Sequence, residues 1–164
     1  MNQLKIVVFA LLALFTVTCG KEDIDDTKPE IRIDFTGAFP INCDTLYFGE
    51  PFTVVMLCAD NVELGSTRAF NIDIHHNFDH HSHSTEVTEC NLNEKKDPVN
   101  PYIFIQTYNL PEGVAEYQTS VELTIPDSDS KGAYDEGDYH FFVSVTDKEG
   151  WSVQMGLSIK LLRR

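Results

Sequence analysis

From Ile31 onward the chain is a succession of short β-rich runs cut by turn chemistry, with no helical stripe in any window of comparable length. Ile31 to Phe35 alternates and is closed by Gly37 and Pro40. Phe52 to Ala59 (FTVVMLCA) is an apolar run bounded by GEP and DN, and Phe70 to Phe78 reads FNIDIHHNF, with Phe70, Ile72 and Ile74 on one face. Tyr102 to Tyr108, Val121 to Ile125, Tyr139 to Val145 and Val153 to Leu161 follow, separated by NLPEG, PDSDSKG and DKEG. About seven short strands in about 130 residues predict an all-β antiparallel sandwich.

The first residues set the compartment. Lys5 precedes the apolar run Ile6 to Phe15, which is too short to span a bilayer but fits the apolar part of a secretory signal. The following Cys19, in TCGKEDIDD, resembles the lipobox of bacterial lipoproteins, where cleavage precedes an acylated cysteine. The resemblance implies a signal peptide over 1–18, a lipidated Cys19, an acidic tether over 19–30 and a domain over 31–164. It also implies an outer-membrane lipoprotein held by lipid alone; acidic residues directly after the cysteine resemble the signal that places Bacteroidetes lipoproteins on the outer surface. The whole chain carries a formal charge of −14, with 26 Asp and Glu against 12 Lys and Arg. Such a surface repels phosphate backbones, so nucleic acid is not an expected partner.

Asp135, Gly137 and Tyr139 in DEGDYHFF have the Asp-x-Gly-x-Tyr form of a tyrosine corner, which precedes strand F in immunoglobulin-like sandwiches. Phe141 stands where antibody domains place a cysteine, so the expected fold is an Ig-like sandwich without the inter-sheet disulfide. The order of ADNVEL, IDIHHNFDHHSHS, a strand ending in IP, and GDYHFFVSVTDKEGWS resembles a Bacteroidetes lipoprotein family, domain of unknown function 4625. That resemblance implies a surface or periplasmic Ig-like lipoprotein and supplies no proven activity.

Besides Cys19 the chain has Cys43, Cys58 and Cys90, enough for one internal bridge and one leftover thiol. Cys58 shares strand parity with Phe52, Val54 and Met56 and reads as a buried thiol. Cys43 and Cys90 lie in loop-like surroundings and are the favoured pair, with the two other pairings open.

Five of the six histidines fall within the nine residues from His75 to His83. Neutral imidazoles suit zinc, copper and nickel, and three or four make a competent site. The candidate ligands are His75, His76, His80, His81, His83 and Asp79, with Asp73 adjacent. Spacing leaves their arrangement open: His81 and His83 share a face if extended, whereas His76 with His80, or His80 with His83, converge if the segment coils. His140 is the sixth. If Phe70 to Ile74 and Tyr139 with Phe141 point inward on neighbouring strands C and F, then His75 and His140 point outward and can oppose each other. A one-residue slip would part them.

These features point to a metal-binding envelope protein, with Zn²⁺ first and Cu²⁺ or Ni²⁺ next, for capture, buffering or delivery to an outer-membrane transporter. No nucleophile elbow, HExxH or phosphate loop is present, so an enzyme is not expected. The other reading is an adhesion or glycan-binding module that displays Trp151, Tyr102 or Tyr108.

Overall fold

The computed structural model describes residues 25–83 and 90–164. The apolar leader, Cys19 and the first half of the acidic tether lie outside the described residues. In chain order the strands are β1 (Glu30–Arg32), β2 (Thr45–Tyr47), β3 (Pro51–Val54), β4 (Leu57–Ala59), β5 (Phe70–His76) and β6 (Phe104–Tyr108). They continue with β7 (Glu116–Gln118), β8 (Val121–Thr124), β9 (Ser128–Asp129), β10 (Gly132–Ala133), β11 (Gly137–Thr146) and β12 (Ser152–Leu162). No helix occurs among the described residues, and none is long and apolar enough to cross a membrane.

One layer is a five-stranded sheet in the order β2-β12-β11-β5-β6. All its pairings are antiparallel except that of β2 with β12. The second layer contains β1-β4-β7 and β3-β8. These are two stretches of one antiparallel ladder, because Val54 opposite Val121 and Leu57 opposite Gln118 keep the same register. The ladder is interrupted where the Thr119 hydroxyl accepts the Met56 N–H at 2.9 Å and donates to the Val54 carbonyl at 3.1 Å. Two layers with neighbouring β5, β11 and β12 form the expected Ig-like sandwich. The strands outnumber the sequence expectation because short pieces form where composition signals only a turn: β9 lies inside PDSDSKG and β10 starts at its last residue.

Alternation builds the core. Phe70, Ile72 and Ile74 of β5, with Tyr139, Phe141, Val143 and Val145 of β11, are fully buried against Val54, Met56 and Cys58. Each such apolar side chain contributes roughly 1.5–3 kcal/mol relative to exposure. Cys58 is a free thiol in this core, and burial pushes its pKa up to about 12. The tyrosine corner closes as the motif requires: Tyr139 Oη donates to the Asp135 carbonyl at 2.7 Å and accepts the Tyr102 N–H at 3.1 Å. Burial pushes this phenol up to about 12, so it stays a donor. Cys43 and Cys90 form a disulfide.

Candidate metal centre

The register of β5 and β11 sets His75 directly opposite His140, with ring centroids 5.2 Å apart. Both lie on the face of the five-stranded sheet away from the core. That face would ordinarily be wet, yet His140 is 0 % exposed. The chain beyond β5 supplies the cover. Asn77 extends the ladder by donating its N–H to the Asp138 carbonyl at 2.8 Å, and Phe78 buries itself edge-on against Tyr139. A turn closed by the His80 N–H and the Asn77 carbonyl, with His80 at φ 57°, then sends the chain back over the outer face.

This turn selects among the arrangements that spacing leaves open. His81 and His83, two residues apart, both reach the strand pair. Their rings lie 4.7 and 4.6 Å from His140 and 6.0 and 5.6 Å from His75. One ring nitrogen from each of His75, His81, His83 and His140 lies within 4.8 Å of all the others. Four nitrogens at tetrahedral zinc distances, about 2.0–2.1 Å from the ion, stand about 3.4 Å apart, so modest side-chain rotation completes the approach. Three of the four are half-buried and His140 is fully buried.

Two carboxylates stand behind the ligands. Asp73 Oδ1 lies 2.9 Å from His75 Nδ1, and Asp79 Oδ1 lies 2.6 Å from His81 Nδ1. A carboxylate at Nδ1 holds the proton there and leaves the Nε2 lone pair for a metal. The His81 contact also holds the Asp79 carboxyl below the usual carboxylate range. Asp79, a candidate ligand in the sequence, therefore stands in the structure as an orienting group.

His76 and His80 fall outside the four-histidine group. His76 shares the parity of Phe70, Ile72 and Ile74, so it turns toward the core side and packs on Phe78 at 4.9 Å. Burial lowers its pKa, which favours the neutral ring. His80 occupies the left-handed turn position, and its backbone role rather than its imidazole brings His81 and His83 into place.

Phe142, 3 % exposed, floors the cluster. Its ring lies parallel to His75 at 5.5 Å and edge-on to His83 at 4.7 Å. It fits because Gly156 is its cross-strand partner, and a Cβ there would collide with Phe142 Cε1. Gly156→Ala should therefore cost about 1–3 kcal/mol by forcing the ring off the sheet. A thermal melt lowered by several degrees checks this, and an unchanged melt contradicts it.

The fold and this cluster define a class: an immunoglobulin-like β-sandwich carrying a four-histidine group on the outer face of its larger sheet. The chain belongs to the family described as domain of unknown function (DUF4625), whose model matches residues 17–162. No curated protein matches it. Among solved structures it is similar to the sporulation control protein Spo0M of Bacillus subtilis, at 10% identity and a TM-score of 0.40, over 86% of this chain and 51% of that one. This chain thus spans about half the length of Spo0M. It is also similar to a superoxide reductase (neelaredoxin) from Ignicoccus hospitalis, at 12% identity and a TM-score of 0.37, covering 82% of this chain and 80% of that one. Both likenesses are too distant to bear on this chain's chemistry.

Proposed function

We propose that this protein is a cell-envelope lipoprotein that binds a transition metal, zinc first and copper next, for capture, buffering or delivery. The observation that carries the reading is the convergence of four imidazoles from two strands and one loop, two of them backed by carboxylates. An all-imidazole set suits Zn²⁺, Cu²⁺ or Ni²⁺ and lacks the thiolates that favour Cu⁺. Four protein donors close a tetrahedral zinc shell, which supports holding the ion rather than activating a bound water, and so binding rather than catalysis. A cluster in which three of the four histidines are partly exposed suits exchange with a partner such as an outer-membrane transporter.

The adhesion or glycan reading has less support. Tyr102 is 7 % exposed, Tyr108 packs on Phe70, and Trp151, though 43 % exposed, donates its indole N–H to the Asp25 carbonyl.

The test is calorimetric titration of the purified protein, free of any histidine tag, with Zn²⁺, Cu²⁺ and Ni²⁺. One tightly bound ion per chain supports the reading; micromolar or weaker, non-stoichiometric uptake sinks it. Asp73→Asn or Asp79→Asn should weaken zinc binding about 10–100-fold while leaving the melt nearly unchanged, since these carboxylates orient ligands without entering the shell. Equal affinity in both variants would remove their assigned role.

A further inference from the structure

A second convergence lies at the other end of the sandwich. His140 sits near the start of β11 and Asp147 just past its end, about 23 Å further along at the usual strand rise. There Asp147 meets Asp25, from the segment entering the domain, and Asp60, which follows β4. One carboxylate oxygen from each lies within 4.8 Å of the other two.

The three aspartates share one arrangement. Each uses one oxygen to accept nearby N–H groups. Asp25 Oδ1 takes Thr27 N and Asn61 Nδ2, both at 3.0 Å. Asp60 Oδ2 takes Val62 N at 2.8 Å and Glu63 N at 2.9 Å. Asp147 Oδ1 takes Gly150 N at 2.7 Å and Trp151 N at 2.8 Å. The remaining oxygens, Asp25 Oδ2, Asp60 Oδ1 and Asp147 Oδ2, are all buried and have no hydrogen-bond partner among the described residues. Asp147 as a whole is 3 % exposed and Asp25 9 %. None of the three forms an ion pair among the described residues.

Three carboxylates gathered this closely, each with a buried oxygen that lacks a hydrogen-bond partner among the described residues, repel strongly, and burial without a partner is costly for each. A shared hard cation resolves all three at once. The donors are oxygens only, each effectively monodentate because its twin is occupied, and they come from three separate segments. Such a set suits calcium, which accepts irregular oxygen shells completed by water, better than magnesium, which demands a near-ideal octahedron.

We propose that Asp25, Asp60 and Asp147 form a calcium site that fastens the entry segment to the end of the sandwich remote from the histidines. The Trp151 indole, bonded to the Asp25 carbonyl at 3.0 Å, already holds the same segment from the side. Calcium would stiffen the junction between whatever precedes residue 25 and the domain, fixing how the histidine face is presented.

The purified protein, stripped with EGTA, is titrated with CaCl₂ by calorimetry and melted with and without calcium. One ion per chain is expected, with a dissociation constant at or below about 1 mM, the range of extracellular calcium modules. Saturating calcium should raise the melting temperature by about 5 °C and slow amide exchange in residues 25–32. Asp60→Asn and Asp147→Asn keep a side-chain oxygen for the local N–H groups, so both should fold and melt no lower than the parent in EGTA. Both should lose the calcium-dependent rise. A variant with His75, His81, His83 and His140 replaced by alanine should retain it. The proposal is overturned if calcium leaves the parent's melt unchanged, if the rise survives in both Asn variants, if magnesium at equal concentration matches it, or if it vanishes with the histidines.

Discussion

Replacing His140 with alanine should lower zinc affinity by roughly a hundredfold. Four-ligand zinc sites are worth about 10–16 kcal/mol, so one ligand carries roughly 3 kcal/mol. His140 is the sharpest choice because its ring lies 5.2 Å or less from those of His75, His81 and His83. It is also fully buried, so the variant will lose some stability by leaving a cavity. His83→Ala separates the two effects, since His83 lies in the covering loop beyond the last residue of β5. It should lose zinc affinity to a similar degree with little change in the melt of the metal-free protein. His76→Ala, outside the group, should keep zinc binding. Titration calorimetry of the three variants checks the set, and loss of zinc binding on His76→Ala with retention on His83→Ala would reverse the assignment. Each imidazole must be neutral to bind, so affinity should also fall on acidification, which the same titration repeated at lower pH checks.

Breaking the Cys43–Cys90 bridge should have the largest effect on stability. The two cysteines are 47 residues apart, and closing a loop of that length in the unfolded chain is worth about 4 kcal/mol in the chain-entropy model. A double Cys43→Ala, Cys90→Ala variant should melt about 10 °C lower. The bridge also touches the site's support. Cys43 donates its N–H to the Ser158 carbonyl at 2.8 Å, and Ser158 is the β12 residue opposite His140. The disulfide thus moors the chain leaving the histidine segment beside the strand that backs His140. Zinc should restore much of the lost stability by tying the same segment through His81 and His83. A variant that melts like the parent, or that zinc fails to stabilise, would show that the bridge and the cluster do not act on one segment.

Strand parity made much of this legible. The alternation in FNIDIHHNF and YHFFVSV places Phe70, Ile72, Ile74, Tyr139 and Phe141 in the core, and the same parity turns His75 and His140 to one outer face. The parity also held the answer for His76, which aligns with the inward residues. What spacing could not supply was the path beyond β5. That path depends on Phe78 finding the Tyr139 ring and on one left-handed residue at His80, both tertiary choices. The roles of Asp73 and Asp79 depend on side-chain rotamers and leave no periodic signature. The aspartate group leaves no signal in spacing because its members stand at positions 25, 60 and 147 in three separate segments. The hint available in the sequence was that DNVE and DKEG each begin with an aspartate suited to capping the N–H groups that follow.

Whether four imidazoles hold one ion can be read from X-ray absorption at the zinc edge of the stoichiometric complex. A four-histidine centre gives a first shell of four nitrogens at about 2.0–2.1 Å, the multiple-scattering pattern of imidazole and no sulfur. A sulfur scatterer near about 2.3 Å, or a shell with two imidazoles or fewer, would rule that centre out.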